Sequence, residues 1–360
     1  MSIWTEWDPL EEVVVGDCHS KSLDIWNLPS NCRELLDKIL SETKEDLDNI
    51  SSYLEKLGVK VYRPTVLSIP LNIDQGPFHV TNAISPIVPR DQYLVYDKTI
   101  IQTYTSMPSR YLDSLGYYDI FLKKFLKGYN WISQPPPVLK GLDQHWQYDG
   151  KQIYGKNYKY KLLWHTATMF KCGDSIIVNN KGPGSQLGLK WVEKNLPTKY
   201  IYNADTSDGN WGHIDQGFFM VDDDTVCCAK VEWVPTVLRN KKIIELKDCY
   251  TPFDFTNMVN QRQSTCAWPY SISHEWLDNW LSEWKGFAQD VAAEFNVLVV
   301  DPKNVIFSAN LPKIFEELAK HGINCHFCRF RHAAFWEAGV HCLTLDIKRR
   351  GEKRNILKID

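Results

Sequence analysis

Cys342 has the sequence setting of a catalytic nucleophile. It follows His341 in residues 339–351, where a glycine-containing loop leads into an alternating strand that ends in the basic cluster 348–350. Nucleophilic catalysis by cysteine requires the thiolate and an acid/base partner, and nearby cations favour the thiolate. The loop would leave room for a substrate. The same residues also fit a buried structural cysteine in a terminal strand, so the segment alone leaves both interpretations open.

A histidine and an aspartate two residues apart could supply acid/base chemistry. His213 and Asp215 flank Ile214 just before the apolar run 218–221. In an extended segment alternate side chains face the same side, so the pattern predicts that both point into one site. A histidine beside a carboxylate can transfer protons and bind a cationic group. The pattern is short and common by chance, so it needs support from elsewhere in the chain.

The sequence contains no complete metal or cofactor motif. Cys325 and Cys328 form one Cys-x-x-Cys pair without a second pair, and the alternation around them would place the two thiols on opposite faces, which favours structural cysteines over zinc ligands. Gly16 and Gly184 lack the spacing of a phosphate-binding loop. No serine nucleophile elbow, kinase motif set or dinucleotide fingerprint occurs. We therefore expect neither a metal ion nor an organic cofactor.

The composition is that of a globular protein without a strong charge bias. The 360 residues are 44% hydrophobic and 24% charged, and 41 basic against 44 acidic residues leave a net charge of −3. This balance gives no electrostatic drive toward nucleic acid or an anionic membrane. No apolar run could span a membrane, the first residues do not form a secretory signal, and the ten cysteines are scattered. We expect a cytoplasmic protein with reduced cysteines and neither nucleic-acid nor membrane partners.

The order strand, strand, helix, strand recurs along the chain and would position these residues. In the unit nearest the C-terminus, apolar runs at 296–300 and 305–308 surround an Asp/Pro/Asn turn and predict a β-hairpin. A helix over 312–321 and a strand over 323–330 complete the unit. Four earlier stretches repeat this order, although their sequences are not similar enough to prove common ancestry.

Five such units predict either a closed α/β propeller or a mixed α/β fold with several crossovers. Each helix must bury one face, so five units around a centre would share a closed core. Further helices are expected over 32–57, 109–127 and 187–195, and another over 271–295 carries tryptophans at four-residue spacing that suit core packing. No segment has the composition of a proven domain linker, so residues 1–360 are expected to form a single domain.

Five segments, in the right order, resemble landmarks of the amidinotransferases, which include the arginine:glycine, inosamine-phosphate and cyanotoxin-pathway enzymes. Residues 6–16 resemble the opening strand of these proteins, and residues 341–351 are similarly specific. Shorter matches lie at 89–91, 210–215 and 296–298. The resemblance spans nearly the whole chain. It implies a five-bladed α/β propeller of ββαβ units, a pentein-like fold, in one amidinotransferase-like catalytic domain.

The resemblance also implies double-displacement chemistry in a specialised biosynthetic pathway. A cysteine attacks the amidino carbon of a donor such as arginine, an amine leaves, and the covalent amidino-thioether passes its group to an acceptor amine. Matched by position, Cys342 is the nucleophile and His213 moves protons between the leaving and arriving amines. Asp215 and Asp91 would hold the cationic amidino group, and Asn210 would line the same pocket. Carboxylates suit that task because a guanidinium is planar and charged.

Departures from the family pattern concern the substrate. Before the third hairpin the family has two acidic residues three positions apart, the first of them in the catalytic triad, and this chain has His165 and Thr168 there. An imidazole cannot replace a carboxylate as counter-charge to a guanidinium, and a protonated one would repel it. We expect His165 to act in catalysis and Thr168 to contact substrate. The family's carboxylate-binding arginine is also missing after the fourth hairpin, where Glu232 lies and Lys230 could substitute.

These departures leave several interpretations open. The chain could transfer an amidino group between unusual substrates, or move an acyl or amide carbon through a thioester on Cys342 while His165 donates a hydrogen bond to the oxyanion. Hydrolysis, as in the related deiminases, is disfavoured by the opening motif. A degenerate homologue that acts as a binding protein is a further alternative, against which the retention of Cys342, His213 and Asp215 argues. Amidino transfer needs a small-molecule donor, an amine acceptor and no cofactor, and relatives often form homodimers.

Overall fold

The computed structural model describes residues 2–28, 30–76, 78–80, 83–105, 108–138, 147–148, 153–154, 161–180, 184–198, 200–204, 213–249, 295–336 and 338–358. The α-helices of this part of the chain are α1 (Ser30–Lys56), α2 (Tyr118–Phe125), α3 (Gln186–Asn195), α4 (Pro312–Lys320) and α5 (Ala333–Trp336). None of these helices combines the length and the apolar character that crossing a lipid bilayer requires.

The described strands form five three-stranded sheets and two short hairpins. In chain order the strands are β1 (Leu10–Val15), β2 (Lys60–Tyr62), β3 (Ile73–Gln75), β4 (Phe78–Val80), β5 (Tyr93–Tyr96), β6 (Thr99–Gln102), β7 (Asn130–Ser133), β8 (Gln147–Tyr148), β9 (Ile153–Tyr154), β10 (Met169–Cys172), β11 (Ser175–Val178), β12 (Tyr200–Asn203), β13 (Phe218–Met220), β14 (Thr225–Cys228), β15 (Lys242–Glu245), β16 (Leu298–Asp301), β17 (Asn304–Phe307), β18 (Asn324–Phe327) and β19 (Thr344–Arg349).

Each three-stranded sheet combines an antiparallel pair with a parallel neighbour. The strand orders are β19-β1-β2, β5-β6-β7, β10-β11-β12, β13-β14-β15 and β16-β17-β18. In each sheet the central strand pairs antiparallel on one side and parallel on the other. A parallel partner requires a crossover connection. The mixed α/β fold predicted from the sequence is therefore confirmed, and the closure of its units into a five-bladed propeller stays a prediction.

One sheet joins the two ends of the described chain. Strand β19 pairs antiparallel with β1, so that Val15 lies opposite Thr344 and Leu10 opposite Arg349. The turn that carries Cys342 comes directly before β19. This pairing therefore brings the last motif of the sequence beside the first one.

Three of the predicted helices are confirmed to within a few residues. The helices expected over 32–57, 187–195 and 312–321 correspond to α1, α3 and α4. Their apolar residues recur at helical spacing, and two of those in α4, Ile314 and Leu318, are fully buried against the core. The periodicity predicts these elements well because burial of one face stabilises each helix.

The helix predicted over 109–127 is wrong in its first half. Tight 3-10 turns occupy Pro108–Arg110 and Asp113–Tyr117, and α2 begins only at Tyr118. Gly116 lies against neighbouring backbone, since a Cβ there would meet the Thr65 carbonyl oxygen at 2.6 Å. This close approach leaves no room for a side chain at position 116.

The fourth unit departs from the predicted order. Between β14 and β15 the chain forms no α-helix, only 3-10 turns at Val231–Trp233 and Thr236–Leu238. Pro235 separates the two turns and lacks the N–H that a continuous helix would need. The helix predicted over 271–295 lies, except for Phe295, outside the described residues.

Candidate active site

Cys342 lies in a turn against Asn296. The Cys342 backbone N–H donates a hydrogen bond to Asn296 Oδ1 (2.9 Å), and Asn296 Nδ2 donates one to Cys342 Sγ (3.1 Å). Gly339 permits this contact, because a Cβ there would lie 2.7 Å from Asn296 Oδ1. Cys342 is only 2% exposed. A donor directed at sulfur stabilises the thiolate relative to the thiol, which suits a nucleophile.

His213 and Asp215 approach Cys342 from the segment before β13. A His213 ring nitrogen, an Asp215 carboxylate oxygen and Cys342 Sγ lie within 4.8 Å of one another, and all three residues are buried. The predicted reason for this convergence is wrong, because the segment is not one extended strand. His213 is extended, but Asp215 lies in a 3-10 turn over Ile214–Gln216. A proton carrier and a carboxylate nevertheless lie beside the thiol.

Arg90 is a buried cation within this site. Its Nε lies 3.0 Å from Asp215 Oδ2, and its Nη1 lies 3.6 Å from Glu6 Oε2. Burial raises the pKa of Asp215, but the charge of Arg90 and a hydrogen bond with His341 outweigh it and lower that pKa to about 2. Arg90 also interacts electrostatically with Cys342. Its positive charge therefore favours both an ionised Asp215 and a Cys342 thiolate.

His341 connects the two carboxylates that hold Arg90. The His341 Nδ1 lies 2.6 Å from Asp215 Oδ2, and its Nε2 lies 3.5 Å from Glu6 Oε2. Burial raises the pKa of Glu6, but Lys171, whose Nζ lies 3.1 Å away, and Arg90 lower it well below its usual value. The site therefore rests on a network of buried opposite charges, in which every member is held by at least one partner.

Asp91 and His165 extend the cluster through His213. Asp91 Oδ1 lies 3.6 Å from His213 Nε2, while Asp91 Oδ2 accepts a hydrogen bond from Arg110. The ring centroids of His165 and His213 are 5.8 Å apart. One ligand atom each of Asp91, His165 and His213 lie within 4.8 Å of one another. The residue that departs from the family pattern thus reaches the same site as the nucleophile.

Burial decides the charge state of His165, whereas neighbouring charges decide that of Asp91. Burial lowers the pKa of His165 to about 3, and the neighbouring Asp91 carboxylate opposes this only in part. For Asp91 itself, burial raises the pKa, but the charges of His213 and Arg110 outweigh it and lower the pKa overall. His165 is therefore neutral at physiological pH. It neither repels a guanidinium nor provides the negative counter-charge that an acid at this position would provide.

The structure describes two of the three remaining predicted residues, Thr168 and Lys230. Thr168 Oγ1 donates a hydrogen bond to the carbonyl oxygen of His165 (2.7 Å), and its predicted contact with a substrate stays a prediction. Asn210 lies outside the described residues. Lys230, the possible substitute for the missing arginine, lies over the ring of Trp233, with Nζ 5.2 Å from its centroid.

Several residues of the site were not identified as such from the sequence. Each lies inside or beside a recognised motif, but its partner comes from a distant segment, so the pairing has no local signal. The available indication of a role in the site was that each of these residues is polar although the rest of its motif is buried. The residues are Glu6, Arg90, Asn296 and His341.

Comparison with known proteins gives full-length relatives. No family model matches the sequence. Inosamine-phosphate amidinotransferase 1 of Streptomyces griseus is 26% identical over 374 residues, which cover 97% of this chain and 97% of the relative. Because the alignment covers nearly all of both proteins, the similarity concerns the whole arrangement rather than a shared motif.

Solved structures share the fold along the whole chain. The inosamine-phosphate amidinotransferase of Streptomyces griseus matches with a TM-score of 0.72 at 24% identity, over 99% of each chain. An amidinotransferase of the saxitoxin biosynthetic pathway from Microseira wollei matches with a TM-score of 0.73 at 20% identity, again over 99% of each chain. The ordered motifs, the shared fold and the full-length similarity agree. Over nearly its whole length the chain is similar in sequence and fold to the amidinotransferases, from which it has diverged to about a quarter identity.

Proposed function

We propose that the protein is a cysteine-dependent transferase that moves an amidino group from a guanidine donor to an amine acceptor, in a specialised biosynthetic pathway. The observation that supports this most strongly is the convergence of Cys342, His213 and Asp215 within 4.8 Å in a buried site. A nucleophile, a proton carrier and a carboxylate are the groups that double displacement on a guanidinium requires.

In the first half-reaction the Cys342 thiolate attacks the amidino carbon of the donor guanidinium. A C–S bond forms, and the C–N bond to the departing amine then breaks while that amine takes a proton from protonated His213. The amidino group stays on sulfur as a cationic thioether, and His213 becomes neutral. Asn296 and Arg90 support this step because a hydrogen bond and a positive charge stabilise the initial thiolate.

The second half-reaction reverses these roles. The acceptor amine attacks the same carbon while neutral His213 takes its proton, and the C–S bond breaks to regenerate the thiolate. The product is a new guanidinium on the acceptor. The proton and the thiolate return to their starting positions, so one site can serve both half-reactions without a cofactor.

The carboxylates of the site already have cationic partners, which bears on the donor. Asp215 lies against Arg90, and Asp91 is bonded to Arg110. A guanidinium donor would add a third positive charge near these pairs, and like charges at short range repel in a buried site. We therefore propose that the donor is an unusual guanidine whose amidino group is less basic than that of arginine.

A second candidate function is acyl or amide transfer through a Cys342 thioester. The neutral, buried imidazole of His165 favours it, because such a group can donate a hydrogen bond to a developing oxyanion. In this reaction His213 would perform the same two proton transfers. The transferred carbon would be neutral, so no additional counter-charge would be needed.

Intact-protein mass spectrometry after incubation with candidate donors tests these proposals. Amidino transfer is supported by a mass gain of one amidino group with arginine or another guanidine, and acyl transfer by a gain of one acyl group with an amide or thioester. Cys342→Ser should lose the adduct, whereas the matched control Cys325→Ser should keep it. If the donors bind to the protein but none forms an adduct, the result would support the non-catalytic binding protein instead.

We also propose that residues 1–360 act as one catalytic domain, that the protein works in the cytoplasm, and that it forms a homodimer. The described cysteines are free thiols, which suits a reducing compartment. Small-molecule donors and acceptors are the partners that this chemistry needs. Partial proteolysis and analytical ultracentrifugation test the domain and the oligomeric state.

A further inference from the structure

A second chemical capacity is visible in Asp91, His165 and His213. One nitrogen from each histidine and one carboxylate oxygen lie within 4.8 Å of one another, and all three side chains are buried. The Asp91 Oδ1 to His213 Nε2 distance is 3.6 Å. Two imidazoles and one carboxylate form a ligand set that binds divalent transition metals.

The surroundings hold these groups in place. Arg110 donates a hydrogen bond to Asp91 Oδ2. The other oxygen, Oδ1, is directed toward His213 and accepts no hydrogen bond from the part of the chain that the structure describes. The backbone of His165 is fixed as well, because Thr168 donates hydrogen bonds to its carbonyl oxygen from both Oγ1 and N. Such supporting contacts orient metal ligands and strengthen binding.

We propose that Asp91, His165 and His213 bind one divalent transition-metal ion of the zinc class. Zinc-to-nitrogen and zinc-to-oxygen bonds of about 2.0–2.2 Å would require the three ligand atoms to close by about 1 Å, which side-chain rotation can provide. Water would complete the coordination. Magnesium and calcium are excluded by ligand type, since they prefer several oxygen ligands.

The metal would act as a reversible inhibitor. This consequence rests on the proposed function, in which a ring nitrogen of His213 carries protons between amines. A nitrogen that donates its lone pair to a metal ion cannot accept a proton, so the metal-bound protein should not turn over. Removal of the ion by a chelator should restore the transfer reaction.

Titration of untagged protein with Co²⁺, followed by its visible absorption, and with Zn²⁺, followed by calorimetry, tests the site without any substrate. We expect one ion per chain. His165→Phe keeps a planar aromatic side chain without ligand nitrogens and should weaken binding by at least about tenfold. His165→Gln serves as a second variant in case the first is destabilised, and circular dichroism checks the fold of both. The matched control His321→Gln, on the surface, should bind as the wild type does.

Two results would overturn the proposal. Unchanged affinity in both folded His165 variants would show that His165 is not a ligand. Loss of binding in Cys342→Ser, with binding retained in the His165 variants, would place the ion on the neighbouring set His213, Asp215 and Cys342, whose ligand atoms also lie within 4.8 Å of one another. Failure to detect amidino transfer would affect the proposed function but not these titrations.

Discussion

Arg90 pairs with Asp215 inside the site, its Nε lying 3.0 Å from Oδ2. The carboxylate expected to hold the substrate therefore has an internal guanidinium beside it before any donor binds. The same oxygen lies 2.6 Å from His341 Nδ1. A donor must bind next to this pair rather than to an isolated carboxylate, and this makes the charge of the donor a determinant of specificity.

Replacement of Cys342 by alanine or serine should abolish turnover while leaving the fold intact. The thiolate is the only group proposed to form the covalent intermediate, so we expect a loss of at least about a thousandfold in kcat. Cys342 should also react with iodoacetamide before the other described cysteines, which peptide mass spectrometry can measure. Substantial turnover in Cys342→Ala would exclude a covalent mechanism on this residue.

Asn296→Asp should slow the alkylation of Cys342. The change keeps the size of the side chain but replaces the Nδ2 donor, 3.1 Å from Sγ, with a negatively charged oxygen that disfavours the thiolate. We expect the alkylation rate at neutral pH to fall by about tenfold, measured as a function of pH. Asn304→Asp, on β17 away from the site, is the control; an equal effect there would point to a general change in stability.

His165→Asp should change the preference between donors. A carboxylate next to Asp91 adds the counter-charge that the neutral imidazole lacks, so arginine-dependent amidino transfer should increase and transfer of a neutral group should decrease, each by about tenfold. Both activities would be measured with arginine and with an amide or thioester donor. Strong arginine-dependent transfer by the wild type that disappears in His165→Asp would contradict our interpretation of this departure.

Lys171→Met should destabilise the protein in a pH-dependent way. The change removes the buried ammonium 3.1 Å from Glu6, and breaking a buried ion pair costs about 3–5 kcal/mol in the free energy of unfolding at pH 7. The folded-state pKa of Glu6 is lowered well below its usual value by Lys171 and Arg90 despite burial, so its stabilising contribution is present above about pH 4.3 and is lost as the pH falls through the folded pKa.

The difference in unfolding free energy between the wild type and Lys171→Met should therefore narrow as the pH is lowered below about 4. Urea denaturation at pH 7 and at several acidic values measures this difference. Lys348→Met, which removes a partly exposed partner of Glu11, should cost no more than about 1 kcal/mol. A difference that stays constant with pH would show that Lys171 stabilises the fold by packing alone.

The sequence predicts the elements of this fold better than the contacts of its site. The sequence predicts a helix over 32–57, and α1 spans Ser30–Lys56. The agreement is close because the spacing of apolar residues indicates which face of a helix is buried. No such local pattern indicates the ion pairs of Arg90, since its partners Glu6 and Asp215 lie in other motifs. Asp215 shows the opposite case: its place in the site was expected, but from an extended strand that is in fact a 3-10 turn.

The pairing of β1 with β19 has a consequence for biogenesis. During synthesis β1 leaves the ribosome long before β19, since Val15 pairs with Thr344 across nearly the whole length of the chain. Contacts between such distant segments form slowly because a large loop must close first. The edge of β1 that pairs with β19 therefore has no partner until β19 has been synthesised. Cys342 is synthesised after Glu6, Arg90, His213 and Asn296, so the thiol becomes reactive only when the other residues of the site are already present.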